Sequence, residues 1–99
     1  MPRKIRRSTG NVFTDLGFPP LEAEHLKMRS DLMIELTRLI RERGLTQARA
    51  AKLFGVSQPR VSDLTRGKID RFSIDTLVEM LGHAGAHVSL TVRRKRHVA

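Results

Sequence analysis

The sequence predicts a mainly α fold, a small helical bundle with a helix-turn-helix at its centre and one β-strand at its C-terminal end. Three observations predict it. Apolar residues recur at spacings of three, four and seven between Leu26 and Ile40, the period of one helix face. The stretch LTQARAAKLFGVSQPRVSDLTRGK, Leu45 to Lys68, sets small, apolar and polar residues at the offsets of two short helices crossing at a tight turn. After Gly85 the period becomes two, with Val88, Leu90 and Val92 alternating with Ser89, Thr91 and Arg93, which is the pattern of a strand.

Size and composition bound the rest. Ninety-nine residues at 39% apolar content suit one small domain with a modest core. With four Phe and neither Trp nor Tyr, that core is built mostly from Leu, Ile, Val, Ala and Met. The absence of cysteine excludes disulfides, zinc fingers and thiol catalysis. No apolar run approaches the roughly 20 residues of a membrane span. The basic start MPRKIRRSTG has no apolar stretch behind it, so it does not read as a secretory signal. A cytoplasmic protein without membrane contact is expected.

The net charge of +9 is unevenly placed. Arg3, Lys4, Arg6 and Arg7 lie near the start, and Arg93, Arg94, Lys95 and Arg96 near the end, with no acid beside either group. The remaining bases and acids nearly balance. Residues 1–10 and 94–99 therefore read as basic tails, flexible in the case of 1–10, around a single domain over 11–93. Such tails either grip phosphates or keep a small protein soluble.

The elements follow in order. NVFTDLGFPP carries Val12, Phe13, Leu16 and Phe18 among Gly17, Pro19 and Pro20, and reads as a packed arm with a short strand near Val12 rather than a helix. Pro20 fits the first turn of a long helix running from about Leu21 to Arg43. Leu26, Leu32, Met33, Leu36, Leu39 and Ile40 form its apolar face, and Gly44 ends it. Thr46 caps the next helix, which begins at Gln47. In it Ala50, Leu53 and Phe54 face the core, and Ala51 lies where two helices cross. Gly55 makes the turn and Val56 plugs it into the core.

Ser57 caps the second helix of the motif, and Pro59 sits in its first turn without removing a needed hydrogen bond. Val61 and Leu64 fix this helix to the core, leaving Gln58, Pro59, Arg60, Ser62, Asp63 and Arg66 outward. Gly67 and Lys68 end it, and residues 69–72 form a connecting loop. Ser73 caps a last helix to about His83, with Ile74, Leu77, Val78 and Leu81 inward. The strand that follows needs a partner for its backbone, either the Val12 segment or the same strand of a second copy. A polar, capped helix exposed over a buried Val/Leu seam is the arrangement that enters a DNA major groove.

Those residues resemble the XRE family of lambda-repressor-like DNA-binding domains over about Leu32 to Leu81. The NVFTDLGF arm, the long helix, VSQPRVSDLTRGKIDRFSIDTLVEML and the VSLTVR strand together look like short XRE proteins of the HigA-like antitoxin type. The basic ends depart from that pattern, so no role for them follows from it. The resemblance implies a dimer that binds a palindromic operator in double-stranded DNA and represses its own operon. It also implies a partner, a RelE/HigB-like ribonuclease toxin; the alternative is a stand-alone XRE-type regulator with no toxin.

By resemblance, Gln47 contacts a phosphate through its amide or backbone N–H. Gln58 fits an adenine reader, and Arg60 pairs with guanine O6 and N7. Pro59, Ser62 and Asp63 complete the base-facing group. Arg66, Lys68 and Arg71 lie beside the helix end toward phosphates, and Thr46 and Ser57 add contacts to the DNA backbone. Val88, Leu90 and Val92 are the expected dimerisation residues, pairing two copies across a two-fold axis and setting recognition helices about 34 Å apart.

Other chemistries find little footing. His83 and His87 are four apart among the four histidines (with His25 and His97), but a helix end and glycines lie between or beside them and no third ligand is suitably spaced. There is no Gly-rich phosphate loop and no nucleophile–base signature. The sequence is expected to need no metal or cofactor and to be no enzyme.

Overall fold

Five helices and one 3-10 turn follow one another along residues 11–94, which the computed structural model describes. They are α1 (Val12–Asp15), α2 (Pro20–Arg43), α3 (Gln47–Phe54), α4 (Gln58–Thr65), the 3-10 turn (Ile69–Arg71) and α5 (Ile74–His83). The tail expected at 1–10, and residues 95–99 of the one expected at 94–99, lie outside the described residues.

At roughly 1.5 Å per residue, the 24 residues of α2 make it the spine of the bundle. Pro20 opens it, and it buries Ala23, Leu26, Met33 and Leu36. α1, α4, the 3-10 turn and α5 all pack on α2, while α3 packs between α4 and α5. The centre consists of Phe54, Phe72, Leu36, Leu64, Leu77, Met80 and Val61, all but closed to solvent. Leu32, Leu39, Ile40, Leu45, Leu53 and Val56 line its margin.

Caps set the helix starts as their residue types predict. Thr46 Oγ1 accepts from Arg49 N, Ser57 Oγ from Arg60 N, and Ser73 Oγ from Thr76 N. Each satisfies one of the first-turn N–H groups that a helix leaves without a partner. The ends of α2, α3, α4 and α5 close alike, with an N–H donating five residues back: Leu45 to Ile40, Val56 to Ala51, Lys68 to Asp63 and Ala86 to Leu81. In three of the four the donor is apolar and packs on the core. The exception is Lys68, whose main chain is set at the end of α4 by the same backbone bond.

Three expectations need correction. The segment near Val12 is helical, not a strand: Asn11 Oδ1 accepts from Phe13 N at 2.9 Å, and Asn11 Nδ2 donates to Ala23 O at 2.7 Å, tying the short helix to α2. The rings of Phe13 and Phe18 meet edge to face at 6.1 Å. The C-terminal strand is absent, and among the described residues none is in a strand. With α1 helical, Val88, Leu90 and Val92 have no strand beside them among the described residues, and an isolated strand cannot satisfy its backbone. All three are exposed. In α5 the inward residues are Leu77, Met80 and Leu81, whereas Val78 is on the outer side.

Candidate nucleic-acid interface

α3 and α4 present their N-terminal ends to solvent. Thr46, Gln47, Ser57, Gln58 and Pro59 are all exposed. Beneath them Val61 and Leu64 are 0% and 2% exposed, so α4 is pinned along one seam and open along the other. The turn between the helices is narrow. Gly55 has a φ of 72°, in the region that L side chains seldom occupy, and His83 lies against it.

The cap bonds shape what these ends can do. The Thr46 and Ser57 oxygens accept from the backbone of their own helices, which leaves each hydroxyl hydrogen to donate outward. The first-turn N–H groups that a helix leaves without an internal partner, and the positive ends of two helix dipoles, add to them. Arg49 and Lys52 on α3, Arg66 after α4, and Arg71 are exposed as well, with Lys68 half-buried. Together these groups form a surface of N–H, O–H and cationic donors with no enclosed cavity, suited to phosphate oxygens rather than to a small substrate.

The residues expected to face bases divide into two groups. Gln58 and Pro59 stand free at the tip of α4, and Ser62 is half-buried one turn later. Arg60 and Asp63 are engaged within the protein. Arg60 Nη1 donates to Arg71 O at 2.9 Å, and its guanidinium lies 5.4 Å from the centroid of the Phe72 ring. Reaching a guanine requires it to leave both contacts. The Asp63 carboxylate pairs with Arg71 Nη1 at 3.6 Å.

Two residues outside the expected set support this surface. Phe72, expected in a loop, is 2% exposed and belongs to the core. Arg29 of α2 donates to Ile69 O at 3.2 Å and Phe72 O at 3.4 Å, fastening the 3-10 turn behind α4. Its partners lie some forty residues away along the chain, beyond any local pattern. Among the described residues no three His, Cys, Asp or Glu side chains group as metal ligands, and no helix is long and apolar enough to cross a membrane.

Comparison with known proteins bears on the same surface. A family described as a helix-turn-helix domain matches residues 12–93. A solved structure described as a candidate XRE-family transcriptional regulator is similar at 32% identity and a TM-score of 0.70, covering 79% of this chain and 91% of that one. No curated protein is similar enough to match.

Proposed function

The chain belongs to the XRE-type helix-turn-helix family, and from that premise we propose that it is a sequence-specific DNA-binding transcriptional repressor without enzymatic activity. One observation carries the reading: Gln58 and Pro59 stand exposed at a capped helix tip whose other side is locked by buried Val61 and Leu64. A tip so anchored enters a major groove without moving the core. Gln58 pairs with a base edge there. Thr46, Gln47, Ser57, Arg66, Lys68 and Arg71 take phosphates on either side of the groove, supplying affinity while base contacts supply preference.

The repressor acts as a dimer on a palindrome, because one α4 spans only half a site. Val88, Leu90 and Val92, which are 38%, 78% and 83% exposed, support pairing between two copies. In light scattering, the full chain is expected to be a dimer and a chain lacking residues 86–99 a monomer; a dimer in both refutes this interface. DNA binding is tested by selection from a random-sequence pool, which should return a palindrome. Selection of no sequence would overturn the reading.

A second function is favoured by the opposite flank. Val12, Leu16, Phe18 and Leu21 are 55%, 69%, 38% and 83% exposed, more apolar surface than DNA reading uses. We infer that this flank serves the antitoxin role, binding a RelE/HigB-like toxin. Co-expression tests it: the chain should rescue cells from a toxic neighbouring reading frame, and the Leu16→Glu/Leu21→Glu variant should not. No rescue by the unaltered chain leaves a stand-alone regulator.

A further inference from the structure

A carboxylate is out of place on a helix that meets phosphates, unless a cation offsets its charge. Asp63 lies on α4 with its side chain 18% exposed, and the Arg71 opposite it is 52% exposed. The backbone around Arg71 is fixed independently. Arg60 holds its carbonyl, and Arg29 holds the carbonyls of Ile69 and Phe72. With the neighbouring carbonyls so tied, the half-exposed side chain of Arg71 is the part best able to turn, either back onto Asp63 or outward to solvent and DNA. Lys68, three residues earlier, has no ion-pair partner among the described residues.

We propose that Asp63 withholds Arg71 from phosphates in sequence-independent binding, an inference that rests on the DNA-binding reading above. A partly exposed pair at 3.6 Å is weak enough for a phosphate to compete with. The exchange nevertheless leaves a largely covered carboxylate unpaired beside a duplex of the same charge sign. A duplex that docks closely compensates through its base contacts, and Arg71 transfers to a phosphate. A duplex that docks loosely does not, and Arg71 stays on Asp63 with both charges cancelled. The restraint therefore removes one cation from sequence-independent binding, whose strength and salt dependence grow with each phosphate neutralised. Specific binding keeps that cation but carries the cost of breaking the pair.

The test is a cycle of Asp63→Asn, Arg71→Gln and the double variant in the full chain. Binding is measured by fluorescence anisotropy over a salt series, on the duplex that the wild-type chain selects from a random pool and on a scrambled duplex. Circular dichroism and thermal melting check folding, with Asp63→Ser as a second neutral variant if Asn disturbs the helix. Asp63→Asn is expected to tighten scrambled binding roughly threefold and steepen its salt slope by about one. The selected duplex, relieved of the cost of breaking the pair, should tighten at least as much, with its salt slope nearly unchanged because Arg71 already meets a phosphate there. With Arg71→Gln present, Asp63→Asn should no longer move the scrambled salt slope, while Asp63→Glu alone should behave as wild type. Equal tightening with and without Arg71 would mean simple repulsion by the carboxylate and would overturn the restraint. Loss confined to the selected duplex would mean that Asp63 reads a base, and would overturn it too. A folded wild-type chain that selects no sequence overturns the DNA-binding reading itself, and this inference with it.

Discussion

The imidazole of His83, at the end of α5, closes over Gly55, so that a Cβ added to the glycine would stand 3.2 Å from His83 Cδ2. Gly55 is thus constrained twice, by this approach and by its φ of 72°. The imidazole is exposed and has room to swing aside, whereas the backbone angle has no such relief. The angle should therefore dominate. Gly55→Ala is expected to lower the unfolding free energy by about 1–2 kcal/mol in denaturant titration, and His83→Ala in the same chain should restore little of it. Restoration of most of the loss would assign the effect to the contact instead.

Ser57 serves two purposes that substitution can separate. Its oxygen accepts from Arg60 N at 3.3 Å, and its hydroxyl hydrogen remains for a phosphate. Ser57→Ala should cost about 1 kcal/mol of stability and weaken DNA binding as well. Ser57→Asp keeps the cap acceptor at the positive helix end but sets a carboxylate against the phosphate, so melting should stay near wild type while affinity falls about tenfold or more. If Ser57→Asp binds DNA normally, no phosphate lies there.

What the sequence made legible was local. Thr46, Ser57 and Ser73 cap their helices as their types and positions predict, because a cap bond spans three residues and is written in them. The buried seam of Val61 and Leu64 is legible for the same reason. The α1 helix was not, although Asn11 caps it locally at Phe13 N. Four residues between a glycine and two prolines make a weak helical pattern, and the bond that ties it to α2 reaches Ala23, twelve residues on. Alternation at Val88, Leu90 and Val92 specifies a face without supplying a partner. Arg60 is the most instructive position: guanidinium chemistry suits a guanine edge and the face of Phe72 equally well, and only tertiary packing brings Phe72 beneath it.

Gln58 and Lys68 should fail in different ways. Gln58 stands at the exposed tip of α4, where a base edge is in reach, while Lys68 is fixed beside the helix end by its N–H to Asp63 O at 3.0 Å. Gln58→Ala should lose about 1–3 kcal/mol on the selected duplex and almost nothing on a scrambled one. Lys68→Ala should weaken both alike and make the salt slope shallower by about one. Gel shifts at several salt concentrations distinguish them, and equal losses on both duplexes for Gln58→Ala would remove it from the reading set.

Phe72 joins the core to the DNA-facing surface, because its ring is buried among core residues while Arg60 lies 5.4 Å from the ring centroid. Phe72→Ala removes both functions and should cost about 3–5 kcal/mol, too much to isolate the ring contact. Phe72→Leu keeps most of the volume, at a cost of about 1 kcal/mol, and withdraws only the aromatic face. Arg60 would then retain its bond to Arg71 O but lose its cation–π contact. Arg60→Ala should accordingly destabilise the Phe72→Leu chain less than the wild type, by about 0.5–1 kcal/mol. Strict additivity in that cycle would show that the ring holds Arg60 by shape alone, and the hydrogen bond to Arg71 would then be the tie that positions it.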